Sequence, residues 1–469
     1  MRTKQSRKWA VVLCLLAALL LTTAALAQGQ GPEPVKELPA ASVLPASPAD
    51  WGETPVYYSI WETEPNNGKA TAQEIIITDP ADVIGGDVFN GDVDWYLFYV
   101  PADGTGVLIN TDAMMDGQNT DTVVKLFDSS GSSVPLTQND DMGGAPYYDS
   151  LLFAVLSEGW YYVQVSDYPT DGNCTTTCSY EIIITRPILL SAHAANLGTA
   201  NVEGIPFRSE DVMALLFMKN DYANRPQHKW VLFMDGSDIG ITKPVVNIGL
   251  GWGHDDGRGS MTLGFGANQV WRDWQGISRT FKPWDWAQIG FGRVGPNTVL
   301  STNELGYPGV EYHAGAEHGL TTATEKVDAL DVNAEYAADP QWTANVFLST
   351  TGAATVPTGA TGTVKAADED VLLSQTWDGL GWWYNSVFFD GSKVTGLAVE
   401  DIFAADYEAY ARRMFLTILG TGKVLGHNVS QKDIFWLDKS GTTWVWGGMW
   451  HLPDYGWNYN LDAIDTGGN

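Results

Sequence analysis

Between residues 347 and 402 the chain reads Phe347-Leu348-Ser349, Asp368-Glu369-Asp370-Val371-Leu372, Val387-Phe388-Phe389-Asp390-Gly391-Ser392, Gly396-Leu397, and then a hydrophobic stretch around Ile402. After residue 185 this phrase is spoken four times. Its first step recurs at Leu190-Ser191, Leu263-Gly264, Leu348-Ser349 and Leu416-Thr417, roughly 70 to 85 residues apart, the period of a structural repeat with loops of variable length. An Asp opening an apolar run follows each step, at Asp211, Asp285, Asp370 and Asp433.

The other elements of the phrase drift. Phe233-Met234-Asp235-Gly236-Ser237 with Gly240-Ile241 matches the third copy, whereas the second keeps only Ala314-Gly315 and Gly319-Leu320. The closing Val327-Asp328-Ala329-Leu330 returns as Leu461-Asp462-Ala463-Ile464, and reads Val246-Asn247-Ile248 and Ile402-Phe403-Ala404 elsewhere. Each unit supplies about four short β segments. One such sheet cannot bury both of its faces, so the units must pack on one another, and four-stranded repeats set radially give a propeller. Residues 186–469 are therefore expected to form a four-unit propeller-like domain. Its Asp-Ala element resembles the layout of the four-bladed hemopexin-like propeller, without the aromatic pattern in every copy, and the wider phrase resembles uncharacterised repeats of secreted bacterial proteins.

Upstream, Arg2, Lys4, Arg7 and Lys8 precede an apolar run from Ala10 to Leu21, and Ala25-Leu26-Ala27 ends it with small residues. That is the layout of a secretory signal peptide over residues 1–27. The run falls short of the roughly 18 apolar residues a membrane span needs, and no later stretch reaches that length, so no transmembrane segment is expected after cleavage. Residues 28–59 are rich in Pro, Ala and Ser and read as an extended linker.

The chain carries 56 acidic against 26 basic residues, a formal charge of −30 that becomes −34 once the four cations of the leader are removed. Such a balance excludes nucleic acid as an expected partner and suits an extracellular protein that holds divalent cations or is simply kept soluble. Of the three cysteines, Cys174 and Cys178 follow the leader; in an exported chain a disulfide between them would close a short loop.

From residue 60 to 185, strand-like segments come at short spacing: Trp95 to Val100, Val107 to Asn110, Thr122 to Phe127, Leu151 to Leu156, Trp160 to Val165 and Tyr180 to Ile184. They are cut by Gly, Asp, Asn and Pro, the signature of an all-β sandwich. Within this region Glu64-Pro65-Asn66-Asn67, Gly91-Asp92-Val93-Asp94-Trp95-Tyr96, Leu126-Phe127-Asp128, Asn139-Asp140-Asp141, Asp149-Ser150-Leu151 and Gly159-Trp160-Tyr161-Tyr162-Val163 follow one another. In that order they resemble the bacterial pre-peptidase C-terminal domain. The resemblance implies a jelly-roll-like β-sandwich related to the collagen-binding domains of bacterial collagenases, in which an acidic linker chelates calcium. Carried onto this chain it suggests Glu62, Glu64, Asn66, Asn67, Asp92 and Asp94 as calcium ligands, and carboxylates with amide carbonyls from two loops supply the oxygens calcium takes. The alternative is that these residues form turns. In that family the domain usually trails a catalytic domain, whereas here it comes first, which weakens any inference of peptidase activity.

No catalytic constellation stands out. His-Glu-x-x-His, Gly-x-Ser-x-Gly and a phosphate loop are absent from the sequence. His254-Asp255-Asp256 with Arg258 and Ser260 reads as a polar loop, and His313 and His318 beside Glu311 and Glu317 read as a turn. Fifteen of the twenty Trp lie from Trp230 onward, to fill contacts between units for the most part and to bind ligand for a few. Asp211, Asp285, Asp370 and Asp433 either tie their own turns or face a common axis where a cation would sit. The expectation is a secreted bacterial, calcium-stabilised, non-catalytic protein that binds extracellular protein or polysaccharide at the cell surface. The alternatives are a polymer-degrading hydrolase, whose carboxylate pair has no spacing signature, and a self-assembling structural subunit.

Overall fold

The computed structural model describes residues 59–466 except 78–79, 89–91, 102–104, 113–119, 141–148, 169–177, 194–198, 219–227, 253–258, 273–276, 291–309, 323–324, 336–342, 359–361, 377–381 and 409–410. The expected signal peptide and almost all of the linker lie outside these residues. The described part is all-β, with short 3-10 turns. No helix in it is long and apolar enough to cross a membrane.

Ten strands come first: β1 Ser59–Trp61, β2 Gln73–Ile75, β3 Val83–Val88, β4 Val93–Val100, β5 Thr105–Asp112, β6 Thr122–Asp128, β7 Thr137–Asn139, β8 Leu151–Leu156, β9 Gly159–Asp167 and β10 Cys178–Thr185. They form two five-stranded sheets, β1-β3-β10-β5-β8 and β2-β4-β9-β6-β7. The alternation of β4 sets the layers, because Asp94, Tyr96, Phe98 and Val100 are buried while Trp95, Leu97 and Tyr99 are half-buried. The inward set meets Val107, Ile109, Tyr180, Ile182 and Ile184 from the other sheet in one core. All six segments expected from the sequence are strands here, but β1, β2, β3 and β7 were not foreseen. Within β3, Val83-Ile84-Gly85-Gly86-Asp87 carries two adjacent glycines. The glycines serve packing: a Cβ at Gly86 would stand 2.5 Å from the Tyr180 ring of β10, and Gly85 lies against Trp61.

Four four-stranded antiparallel sheets follow. The first consists of β11 Ile188–Ala192, β14 Val212–Phe217 and β15 His228–Met234, with β34 Leu461–Asp465 on its other edge; between β11 and β14 a hairpin is inserted, β12 Ala200–Val202 and β13 Ile205–Phe207. The second runs β16 Val245–Trp252, β17 Gly259–Phe265, β20 Trp286–Gly290 and β21 Val310–His313, with the hairpin β18 Gln269–Arg272 and β19 Ser278–Phe281. The third holds β22 Val327–Glu335, β23 Thr343–Thr350, β26 Val371–Thr376 and β27 Trp382–Phe389, with β24 Ala354–Thr358 and β25 Gly362–Ala366. The fourth holds β28 Ile402–Glu408, β29 Arg413–Ile418, β32 Asp433–Ser440 and β33 Thr443–His451, with β30 Thr421–Val424 and β31 His427–Ser430.

The sheets explain the repeat and shift its boundary by one strand. Each closing hydrophobic stretch leads the following sheet, and the last one, β34, pairs with β11 at the start of the region. The four leading strands β34, β16, β22 and β28 pack on one another in cyclic order. The inserted hairpins were not read from the sequence, because β12, β18 and β30 are only three or four residues long and lack a sustained apolar run. Trp230, Trp271, Trp286, Trp436, Trp450 and Trp457 are all buried.

The first ten strands pack onto the sheets that follow. Leu108 and Val155 join the core of the first two sheets, Phe153 meets Phe233 edge-on with centroids 4.8 Å apart, and Lys229 donates to Asn110 Oδ1 at 2.7 Å.

Candidate functional site

The loop from Glu62 to Gly68 and the first half of β4 bring acids together. Glu62, Glu64 and Asp94 place carboxylate oxygens within 4.8 Å of one another. Asn66, wholly buried, lies among them: its backbone N–H donates to Glu64 Oε2 at 2.8 Å and its side-chain amide to Glu62 Oε2 at 3.1 Å. The carbonyl of Asn66 accepts the N–H of Trp95 at 3.1 Å and of Gly68 at 2.8 Å, which pins the loop to β4.

Strand alternation carries the network inward. Tyr96, two residues from Asp94, points into the same interior, where its hydroxyl is 2.6 Å from that of Tyr180. Tyr180 donates to Asp94 Oδ2 at 2.7 Å, and Glu62 Oε1 accepts the N–H of Asp87 at 2.6 Å. Among the described residues, neither Asn66 Oδ1 nor Asp94 Oδ1, both buried, has a hydrogen-bond partner. Burial, then the neighbouring carboxylates of Glu62, Asp92 and Glu64, push Asp94 up to about 8 against the lowering bond from Tyr180. Burial likewise raises Glu62 and lifts both tyrosines well above their usual range.

Carboxylates crowded into a poorly solvated site without a neutralising cation have their charged forms disfavoured. An all-oxygen donor set of three carboxyl groups and an amide carbonyl suits a hard cation such as calcium better than zinc, which prefers nitrogen and sulfur. The structure thus brings together four of the six residues suggested by the sequence. Asn67 and Asp92 form a pair beside them: the Asn67 amide donates to Asp92 Oδ1, which also accepts the N–H of Val93 at 3.0 Å. Tyr96 and Tyr180 were missed, although the period-2 pattern from Asp94 marks Tyr96 as inward-facing.

The repeated aspartates have a different office. Asp211, Asp285, Asp370 and Asp433 each accept, through Oδ2, the backbone N–H three residues earlier, at Arg208, Lys282, Ala367 and Ser430. Through Oδ1 the first three accept the N–H of Gly236, Gly315 and Gly391 at 2.9 to 3.0 Å. In the fourth sheet His451 Nδ1 takes that glycine's place, 2.5 Å from Asp433. Each glycine also presses on the carbonyl before its Asp, so that a Cβ would lie 2.1, 1.9 and 2.1 Å from the oxygens of Glu210, Trp284 and Glu369. The repeated Asp and the repeated Gly are two halves of one contact. Of the two readings left open by the sequence, the turn tie is the one observed.

A second acidic group comes from the leading strands. Asp331, Asp406 and Asp465 are all buried and have carboxylate oxygens within 4.8 Å of one another. Each accepts a backbone N–H from the next leading strand or the residue just after it: Asp331 from Tyr407 at 3.2 Å, Asp406 from Thr466 at 3.0 Å, and Asp465 from Leu250 at 2.5 Å. Burial pushes Asp406 up to about 6. The matching position in β16 is Gly249. The sequence reading passed over these residues, although each stands three places beyond the Asp-Ala element or its counterpart. Within that element Asp328 is buried beside Asp401, and burial holds it well above the usual carboxylate range, whereas Asp462 meets His193 Nδ1 at 2.5 Å.

Of the remaining residues named from the sequence, His254, Asp255, Asp256 and Arg258 lie outside the described residues, as do the side chains of Ser260, Glu311, His313 and Glu317. His318 is buried against Trp286, with ring centroids 4.5 Å apart, and its Nδ1 is 3.3 Å from Ser374 Oγ, as befits a core histidine. Cys178 is buried at the start of β10, and Cys174 is outside the described residues.

No family model and no curated protein matches the chain. Among solved structures, the pre-peptidase C-terminal domain of collagenase from Bacillus anthracis is 18% identical, with 26% of this chain and 99% of that one covered at a TM-score of 0.20. A surface-associated copper-binding protein of Methylomicrobium album BG8 is 10% identical over 24% of this chain and 97% of its own, TM-score 0.19. A periplasmic inhibitor of g-type lysozyme from Aeromonas hydrophila is 9% identical over 24% and 95%, TM-score 0.18. Scores this low carry no argument about what the chain does.

Proposed function

We propose that this chain is a secreted bacterial binding protein without catalytic activity, in which a calcium ion held by Glu62, Glu64, Asn66 and Asp94 fixes the loop of a pre-peptidase C-terminal-like sandwich. The observation that carries the calcium reading is the pair of buried oxygens, Asn66 Oδ1 and Asp94 Oδ1, without a partner inside a ring of carboxylates. A buried polar atom left unpaired costs about 1–3 kcal/mol, and a bound cation would remove that cost. Asn67 and Asp92 would then brace the ligands from outside. A disulfide between Cys174 and Cys178 would close the loop before β10.

The remaining four sheets are read as a four-bladed propeller. Support comes from the cyclic packing of the four leading strands and from β34, which joins the end of the region to its first sheet. Such a frame presents loops to a large partner, and extracellular protein or polysaccharide is the partner class in keeping with the acidic charge and the leader.

The test is thermal unfolding of the mature chain with calcium and with chelator, beside retention on insoluble polysaccharides and on protein matrices. Calcium at about 100 times its Kd would stabilise the folded state by ~2.7 kcal/mol, and retention would fall on chelation. Unchanged unfolding together with breakdown of the polymer would replace this reading by the hydrolase.

A further inference from the structure

The outer face of the sheet β2-β4-β9-β6-β7 carries a groove of about 380 Å³. Its floor is a row of side chains directly opposite one another on successive strands. Trp95 pairs with Gln164, Gln164 with Lys125, and Lys125 with Gln138, so with strands about 4.8 Å apart the row runs for about 14 Å. Period-2 alternation puts all four on the face opposite the core. The walls are Phe127, the loop from Gly131 to Pro135, and Lys69. Lys69 is fixed in place: its ammonium donates to the Ser132 carbonyl at 2.8 Å and lies 4.5 Å from the Phe127 ring centroid and 5.5 Å from that of Trp95.

The lining has a charge unlike that of the rest of the molecule. In a chain with 56 acidic and 26 basic residues, the groove holds two lysines and no carboxylate. Among the described residues no hydrogen bond or ion pair engages the Lys125 ammonium or the side-chain amides of Gln138 and Gln164. At physiological salt the remote negative charge is screened beyond about 8 Å, so the local lysines decide what is attracted.

We infer that this groove binds an anionic polysaccharide. A sugar ring would lie against Trp95, its acid group would meet Lys125, and the glutamine amides would bond ring hydroxyls along a row whose spacing matches successive rings of an extended chain. The assignment rests on the binding reading above and narrows its ligand. It is also joined to the cation site through the backbone: Asn66 gives its carbonyl to Trp95 N–H while its side chain faces the acids, and Lys69 follows three residues later.

Calorimetric titration of the full chain at fixed free calcium, with a hexameric oligouronate and with its carboxyl-reduced neutral counterpart, tests this. The acidic hexamer is expected to bind at least about tenfold more tightly than the neutral one. Lys125→Gln, on an exposed face without partners, is expected to weaken the acidic hexamer by at least about tenfold, the weight of one charge-assisted hydrogen bond, with unfolding temperature unchanged. Equal binding of both hexamers, or an affinity indifferent to Lys125→Gln, overturns the assignment. So does retention of the chain on a gelatin or neutral-polymer matrix with no oligouronate binding, an outcome that leaves the broader adhesion reading standing. Repeating the titration in chelator separates the two readings, since binding that persists and still depends on Lys125 supports the groove and counts against calcium.

Discussion

The turn-tying aspartates of the four-sheet region and Asp94 of the sandwich are all buried or nearly so, and they use their carboxylate oxygens in opposite ways. In the four-sheet region Asp211, Asp285 and Asp370 spend both carboxylate oxygens on backbone N–H groups. In the sandwich, Asp94 gives one oxygen to Tyr180 and keeps the other, buried, without a partner. The Asp that recurs at the turn therefore has its bonding complete, whereas Asp94 has capacity to spare for a ligand. A polar group that satisfies its surroundings is architecture; one that does not is a candidate for chemistry.

The contrast can be broken by substitution. The largest effect is expected at Gly391→Ala, where the new methyl would meet the Glu369 carbonyl at 2.1 Å. Backbone must move, and chemical denaturation should show a loss of about 3 kcal/mol or more. Asp370→Ala should cost roughly 2–3 kcal/mol by leaving the N–H groups of Ala367 and Gly391 unpaired. Asp370→Asn should rescue little of this, since an amide offers one acceptor and turns its own N–H₂ toward the second donor. If the asparagine variant is as stable as the parent, the two-bond tie is not what the Asp is for.

Asp94→Asn should behave in the reverse sense. In chelator it should unfold at or slightly above the temperature of the parent, because the amide cannot take on the charge that burial and the neighbouring carboxylates disfavour. In calcium it should lack the parent's increment of about 2.7 kcal/mol. Asp370→Ala, by comparison, should retain that increment in full.

The smallest effect concerns His193, whose contact with buried Asp462 raises its pKa, the hydrogen bond being the larger cause and burial opposing it. A histidine with a raised folded-state pKa adds stability that is fully present below its unfolded value near 6.5 and is lost as pH rises through the higher folded value. Unfolding temperature compared between the parent and His193→Gln should differ below about pH 6 and converge at alkaline pH. A difference that grows with pH would refute the assignment.

The sandwich strands were largely legible because β4, β5, β6, β8, β9 and β10 alternate or run apolar between turn residues. β3 was not, since its glycines look like a turn until Tyr180 and Trp61 are seen to need the space. The acidic loop was legible as a crowding of oxygen donors in Glu62 to Asn67 with Asp92 and Asp94. Which four of the six converge was not, because convergence depends on the Asn66 carbonyl docking on Trp95 N–H. The groove was invisible, as its four floor residues come from four strands and only register sets them in a row.

By itself the sequence determined an all-β chain with four related units and an acidic loop near its start, since periodicity, turn chemistry and donor type are local properties. Tertiary structure decided that the repeated Asp and Gly of the first three units are one contact, and that each unit's last stretch belongs to the next sheet. It also decided that Asp94, Asn66 and Glu62 share one interior, and that Asp331, Asp406 and Asp465 meet across three strands. Those outcomes depend on pairing between residues far apart in the chain, and no local pattern encodes which distant N–H or oxygen a side chain will find.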